Sequence, residues 1–235
     1  MEAFLLPPSR VGAIIVAAGS SQRMGGVNKI FAPVAGKPLI AHTLAAFQLC
    51  DAVEQVVLVV NAEGMEAAKN LIMARAYTKV VQVCCGGARR QDSVRIGLQH
   101  LRGCDWVVVH DGARPCVEVP LIERGIQEAR ETGAAIAAMP IIDTVKAIGV
   151  NQIIRETIPR THLWAAQTPQ VFLYDLLQEA YQQDDAEATD EASLLERQGY
   201  AVKVYMGSYD NIKVTTPWDL VVAETILKGR AESRW

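Results

Sequence analysis

No stretch of this chain approaches the roughly 18 consecutive apolar residues that a membrane-crossing helix needs, although half of its 235 residues are hydrophobic. The apolar residues therefore serve a core, and a chain of this length buries about three quarters of its extended surface on folding. This predicts a single domain over residues 1–235 with no membrane partner. Positive charge is not in excess either: 23 Lys and Arg stand against 26 Asp and Glu, a net charge of −3. That argues against a general nucleic-acid surface, so an anionic ligand must be held by cations gathered at one place. The five cysteines, Cys50, Cys84, Cys85, Cys104 and Cys116, are odd in number and show no CxxC pair or metal-ligand spacing. A disulfide framework is not expected, and a reducing cytoplasmic setting is. The opening MEAFLLPPSR has no basic n-region and an early proline pair, so a secretory signal is not expected. Internal repeats and low-complexity segments are absent.

Two familiar phosphate fingerprints are also missing. No Gly-Lys-Ser/Thr triplet opens a helix, which excludes a Walker loop. The Gly-x-Gly-x-x-Gly dinucleotide signature is broken at Ser21, and the strand pattern Gln55–Val60 runs out at Asn61 rather than at a ribose-binding acid, which excludes a dehydrogenase.

What is present is the stretch Val11–Lys29, VGAIIVAAGSSQRMGGVNK. Val11–Ala17 is short, rich in Val and Ile and flanked by Arg10 and Gly19, the pattern of a buried parallel strand. The loop at the carboxyl end of such a strand is the usual ligand crevice of an open α/β sheet. Small residues Gly19, Ser20 and Ser21 let backbone N–H groups approach phosphate oxygens, while Arg23 and Lys29 bring charge.

The remainder alternates between strand and helix patterns, which predicts an α/β fold with a mostly parallel sheet covered on both faces. Pro38 suits the first turn of a helix whose Ile40, Leu44 and Phe47 share a face. Further strands are expected at Gln55–Val60, Val80–Cys84, Trp106–His110 and Ala134–Met139, and further helices at Glu63–Ala74, along Val94, Leu98 and Leu101, and at Pro120–Glu131. Thr216 and Pro217 read as the cap and first residue of a closing helix to about Lys228. Between Pro140 and Trp164 the pattern changes to two β-like pieces, Thr144–Ile148 and Ile153–Ile158, around Gly149-Val150-Asn151. This is an inserted hairpin, and two strands alone are marginal in water, so it must pack on something else. Thr189-Asp190-Glu191 reads as a helix start with the hydroxyl capping and the acids favouring the positive end. His110, at a strand end, reads as structural, and Cys84-Cys85 and Cys116 read as small packing residues.

The loop residues Ala17, Ala18, Gly19, Ser21, Arg23, Met24, Gly25 and Lys29 match a nucleotidyltransferase loop, Ala-Ala-Gly-x-Gly/Ser-x-Arg-Met-Gly followed by Lys. Further motifs follow in order: Gly86-Gly87 with Arg90 and Asp92-Ser93, Val109–Pro115, Asp143-Thr144-Val145-Lys146, Arg160, Thr168-Pro169-Gln170, Thr189–Ala192 and Asp210–Thr215. The ordered set, spanning nearly the whole chain, resembles the 2-C-methyl-D-erythritol 4-phosphate cytidylyltransferase family of the non-mevalonate isoprenoid pathway. Ser21, Asn28 and Gly112 depart from the family's frequent glycine, proline and alanine without removing a cation.

The resemblance implies a Rossmann-like nucleotidyltransferase fold whose inserted arm, about residues 140–164, hooks onto a second subunit of a homodimer. It implies an enzyme in which the phosphate of the polyol attacks the α-phosphorus of CTP and pyrophosphate leaves. Arg23 and Lys29 then stabilise the triphosphate, and Arg160 and Lys213 clamp the attacking phosphate; Mg²⁺ is the implied cofactor, with Asp111 and Asp210 as its candidate ligands. Ala17, Ala18, Gly19, Gly86, Gly87, Arg90 and Ser93 are the implied nucleotide contacts. Arg114 and Thr144 are implied polyol phosphate contacts, Gly112 is an implied substrate-binding residue, and Asp111 and Asp210 are open to a sugar hydroxyl as well as to Mg²⁺, or to neutralising Arg114 or Lys213. Ribitol 5-phosphate as the acceptor, a sugar-1-phosphate or molybdopterin nucleotidyltransferase, and a noncatalytic CTP sensor remain as alternatives.

Overall fold

In a computed structural model, which describes residues 9–19, 29–183 and 186–232, the chain folds around one seven-stranded sheet. The first strand, β1 (Val11–Ala17), pairs in parallel with β4 (Gln55–Val60) on one side and β6 (Trp106–Asp111) on the other. Beyond β4 lies β5 (Val80–Cys85), and beyond β6 lie β10 (Trp164–Leu173), β7 (Ala134–Pro140) and β11 (Lys203–Met206), while β2 (Pro33–Val34) and β3 (Lys37–Pro38) form a separate short antiparallel pair. Within this sheet β10 runs antiparallel to both of its neighbours, and the other pairings are parallel. The chain leaves β1 towards β4 on one side and returns to β6 on the other, so the strand order reverses at β1. Ligand crevices of doubly wound sheets open at such a point, outside the carboxyl ends of the strands.

The helices follow from what alternate strand residues bury. On β1, Ala13, Ile15 and Ala17 join one core cluster with Leu39, Ile40, Leu44 and Phe47 of α1 (Leu39–Leu49) and Ile122 and Ile126 of α4 (Val119–Ala129). Ile14, on the opposite face, joins Val94 and Leu98 of α3 (Arg90–His100), Leu177 of α5 (Tyr174–Gln183) and Leu194 and Leu195 of α6 (Glu191–Arg197). Burial on both faces is why these strands read as continuous apolar runs. Helix α2 (Met65–Arg75) packs Ala68 on the first face, and α7 (Pro217–Glu232) packs Ala223 there.

The expected strands lie where the pattern puts them, within a residue at their ends. Pro38 is the cap before α1 rather than its first helical residue. At α7, Thr216 Oγ1 accepts from the Asp219 N–H at 3.4 Å while the Asp219 carboxylate accepts from the Thr216 N–H at 2.8 Å, a reciprocal capping box. At α6 the cap is the Asp190 carboxylate, which accepts from the Ser193 N–H at 3.1 Å, and not the Thr189 hydroxyl. Cys85 is exposed, in contrast to the buried Cys84 and Cys116, so it is no packing residue; all five thiols are free. Strand β10 escapes the pattern because Pro169 and a register shift between Ala166 and Gln170 interrupt it.

The insertion is a two-stranded antiparallel hairpin, β8 (Val145–Ile148) with β9 (Ile154–Ile158), hydrogen-bonded to no other strand among the described residues. Asn151 at φ 58° and Gln152 at φ 59° make its tight connection. Among the described residues, no helix is long and apolar enough to cross a membrane.

Candidate active site

Two cavities meet at the carboxyl ends of β1 and β6. The larger, about 350 Å³, is lined by Ala17 at the end of β1 and Ala18 and Gly19 after it, by Lys29, and by Gly87 and Ser93 from the turn after β5 and the start of α3. The smaller, about 180 Å³, is lined by Arg114, Thr168, Gln170, Thr189 and Asp190. Arg90, Asp111 and Lys213 line both and form the wall between them.

Glycine lets the larger cavity form. A Cβ on Gly86 would sit 2.4 Å from Ala18 Cβ and 2.6 Å from Ser93 Oγ, so the turn after β5 presses directly on the turn after β1. Gly86 therefore shapes the cavity without lining it. The Ser93 hydroxyl accepts from the Gly87 N–H at 3.2 Å and donates to the Arg89 carbonyl at 3.3 Å, pinning that turn. Gly112 is equally constrained, since a Cβ there would meet Ile40 Cδ1 at 2.8 Å and Ala17 Cβ at 3.0 Å.

The dividing wall is a charge cluster built on Asp111, at the end of a strand whose residues are all buried. One carboxylate oxygen, Oδ1, accepts from Arg90 Nε at 3.2 Å; Oδ2 lies 2.8 Å from Lys213 Nζ and 3.6 Å from Arg114 Nε. Burial alone would push this carboxyl up, but Arg90, Lys213 and Arg114 outweigh it and hold the pKa well below the usual carboxylate range. Arg90 is held from its other side by Glu191, which is 1% exposed, through 2.8 Å bonds from Nη1 to both carboxylate oxygens. Its pKa is raised because Glu191 and Asp111 more than offset the desolvation of the guanidinium. For Arg114 the balance runs the other way: burial dominates and lowers its pKa. Its Nη1 donates to the Asn211 carbonyl at 2.7 Å, which ties it to the loop carrying Lys213.

Beneath the wall, the Thr168 hydroxyl accepts from the Asp111 N–H at 3.0 Å and lies 3.0 Å from His110 Nδ1, while His110 Nε2 lies 3.4 Å from the Arg114 carbonyl. A neutral ring protonated at Nε2 satisfies all three contacts. Burial lowers its pKa to about 3. Lys29 Nζ donates to the Val214 carbonyl at 2.8 Å, linking the larger cavity to the Lys213 loop.

The structure thus gathers Ala17, Ala18, Gly19, Lys29, Gly87, Arg90, Ser93, Asp111, Arg114 and Lys213 around two joined cavities. Arg23 lies outside the described residues. Thr144 and Arg160 are exposed on and beside the hairpin and line neither cavity of their own chain. Asp210 also lines neither: its carboxylate lies 3.3 Å from Arg230. The two acids expected to share a metal are therefore not side by side in one cavity, and no group of three or more potential metal-ligating side chains occurs among the described residues. Thr168, Gln170 and Glu191 were within motifs of the resemblance but carried no assigned role at the site. The signal for Glu191 is the buried partner an arginine at a cavity wall requires.

These motifs and this geometry coincide with known proteins along the whole fold. The model of the IspD family, 2-C-methyl-D-erythritol 4-phosphate cytidylyltransferase, matches residues 11–229. The chain is 47% identical over 219 residues to the 2-C-methyl-D-erythritol 4-phosphate cytidylyltransferase of Dehalococcoides mccartyi strain 195, covering 93% of this chain and 96% of that one. Among solved structures it superposes with a TM-score of 0.83 on the 4-diphosphocytidyl-2C-methyl-D-erythritol synthase of Anaerococcus prevotii, at 29% identity and covering 94% and 99% of the two chains. With the 2-C-methyl-D-erythritol 4-phosphate cytidylyltransferase of Thermus thermophilus the TM-score is 0.77 at 34% identity, covering 93% and 99%. The chain belongs to the 2-C-methyl-D-erythritol 4-phosphate cytidylyltransferase family.

Proposed function

We propose that this chain transfers CMP from CTP to 2-C-methyl-D-erythritol 4-phosphate, releasing pyrophosphate and forming 4-(cytidine 5′-diphospho)-2-C-methyl-D-erythritol for isoprenoid precursor synthesis. Beyond family membership, one observation carries this reading: two cavities share a wall that holds three cations, Arg90, Arg114 and Lys213, against the two carboxylates of Asp111 and Glu191. Such a wall suits two anionic substrates that must touch.

The nucleotide occupies the larger cavity. Its triphosphate lies along Ala17–Gly19 and Lys29, the family motif assigning Arg23 to the same group, and its base meets the Gly87 and Ser93 turn. The acceptor phosphate is largely a dianion at neutral pH, having a second pKa of about 6, so no residue needs to deprotonate it. The barrier comes from charge repulsion and alignment. Lys213 reaches the junction of the cavities, and removing a preorganised stabiliser of this kind costs about 10²–10³ in rate. Holding the phosphate in line with the α-phosphorus lowers the barrier further through proximity.

For Mg²⁺ the donor set is narrow. Asp111 fits, since a carboxylate engaged by two close cations still has lone pairs to offer and Mg²⁺ commonly takes only one or two carboxylates beside substrate phosphates. Asp210, turned to Arg230, does not fit. When bound, the cation supplies charge neutralisation on the triphosphate.

The arm completes the second cavity from another subunit. Ile148, Val150, Ile153 and Ile154 of the hairpin region are 53%, 84%, 66% and 56% exposed, an apolar surface that calls for a cover. A homodimer that exchanges arms would bring Arg160 and Thr144 of the partner onto the polyol phosphate. The reaction is assigned to the cytoplasm, a setting supported by five free thiols.

Pyrophosphate release from CTP and Mg²⁺, compared between 2-C-methyl-D-erythritol 4-phosphate and ribitol 5-phosphate, tests the assignment. Strong preference for the former is expected. Preference for ribitol 5-phosphate would keep the chemistry and change the pathway, while CTP binding without release from either acceptor would leave a sensor.

A further inference from the structure

Glu191 is a buried acid that the reaction as described does not use. It sits in the first turn of α6, where an acid ordinarily complements the helix dipole from the surface, yet its side chain is 1% exposed and faces inward. There it accepts from Arg90 Nη1 through both oxygens at 2.8 Å, and Oε1 also accepts from the Tyr181 hydroxyl at 3.1 Å. Tyr181 itself is buried, and its phenol pKa is raised well above the usual value by burial and then by Glu191, so it remains a donor.

This arrangement decides how Arg90 meets the cavities. A guanidinium carries five N–H donors in a fixed planar fork. Glu191 takes Nη1 and Asp111 takes Nε, which together fix the plane and rotation of the group. Neither carboxylate takes Nη2. Without Glu191, the guanidinium would hold to Asp111 alone, free to swing about that contact and to neutralise the carboxylate that also holds Lys213.

Resting on the reading of the larger cavity as the nucleotide site, we infer that Glu191, braced by Tyr181, is a positioning residue: it aims Arg90 at bound CTP and keeps Asp111 available to Lys213. The two roles separate experimentally. Aiming Arg90 governs CTP affinity, whereas the Asp111 and Lys213 contact governs the step in which the acceptor phosphate attacks.

The experiment is a double-mutant cycle on Glu191→Gln and Arg90→Lys in the full chain. CTP dissociation constants are measured by calorimetry and steady-state kinetics with both substrates, and thermal melting is followed in parallel. Glu191→Gln keeps the shape but replaces an acceptor with a donor facing Arg90. It is expected to weaken CTP about tenfold to a hundredfold, the range of a charge-assisted hydrogen bond. Once Arg90 is Lys, the same change should weaken CTP by less than about threefold, because the fork it aims is gone. Tyr181→Phe removes only the brace and should weaken CTP by about threefold with the fold intact, so the inference stays testable if Glu191→Gln does not fold. Unchanged CTP affinity in a folded Glu191→Gln, or equal losses with and without Arg90, would overturn it, as would wild-type affinity in Tyr181→Phe where Glu191→Gln cannot be purified. Because CTP binding is read without turnover, a wrong acceptor assignment would show as absent pyrophosphate release beside intact coupling.

Discussion

The cavity wall and the hairpin arm are both built from a strand end and a turn, but they satisfy their groups in opposite ways. At the wall, each charge has a countercharge within the same chain: Asp111 with Arg90 and Lys213, and Arg90 with Glu191. In the arm, the polar backbone is paired between β8 and β9 while large apolar side chains such as Val150, at 84% exposure, face outward. A buried charge cluster is costly unless complete, so the wall must be finished within one protomer. An apolar ribbon is costly only until something covers it, so the arm can be finished by another. The wall is thus closed within the chain, whereas the apolar face of the arm is the surface that the proposed second subunit would cover.

The sharpest way to break the wall is Lys213→Ala. Turnover with the polyol phosphate should fall by about 10²–10³, measured as kcat/KM from pyrophosphate release. Folding should change little, because the lysine side chain is 41% exposed and Arg90 and Arg114 still face Asp111. A melting point lowered along with turnover would instead make Lys213 a structural countercharge.

The arm is tested by mixing two inactive proteins. Arg160→Ala and Lys29→Ala are each expected to lose about 10²–10³ in turnover, with unchanged melting for Arg160→Ala since that side chain is exposed. In a heterodimer the arm of the Lys29→Ala subunit supplies Arg160 to the cavity of its mate, so one of the two sites is intact, and roughly half of wild-type turnover should return per heterodimer. No recovery in verified heterodimers would place Arg160 in its own chain's site. A companion change, Ile153→Asp with Ile154→Asp, should lower the sedimentation coefficient from dimer to monomer and reduce turnover at low protein concentration. A variant that stays dimeric would move the interface elsewhere.

How far the sequence foretold these two regions depends on how local the signal was. Gln55–Val60 was legible to the residue because both faces of a central parallel strand are buried, leaving an apolar run with abrupt polar ends. The hairpin was legible because its turn residues and β-rich flanks are contiguous. The Ala17–Gly19 turn with Lys29, and Asp111 at a strand end, were legible because loops after parallel strands are where ligands bind. Glu191 was not, since an acid in a helix's first turn has a complete local explanation and its partner lies 101 positions away. Asp210 lines neither cavity of its own chain for the converse reason: its neighbours in sequence are site residues, but its carboxylate turns to Arg230, contributed by the closing helix. Strand β10 lay hidden because a strand that carries Thr168, Pro169 and Gln170 to the site is polar where a strand should alternate.

The smallest expected effect concerns the floor of the wall. His110 is fully buried and its pKa is lowered to about 3, against about 6.5 for an unfolded histidine. Between these values the unfolded chain binds a proton that the folded chain refuses, so stability rises with pH across the window and is lost as pH falls below about 6.5. Carboxylates titrate lower, near about 4, and His42, whose pKa burial also lowers, adds a slope of the same sign that the wild type and a His110 variant share, so the difference between the two across roughly pH 5 to 6.5 reads His110. Chemical denaturation across that interval should show the stability of the wild type declining toward about pH 5, approaching the slope of one extra proton, about 1.4 kcal/mol per pH unit. In His110→Asn the decline should flatten, even though losing the contacts to Thr168 and the Arg114 carbonyl lowers stability at neutral pH. An unaltered slope in the variant would mean that His110 takes up its proton without unfolding. The wall would then have a polarity reserve that its burial denies, and the charge balance around Asp111 would have to be redrawn with a fourth cation in it.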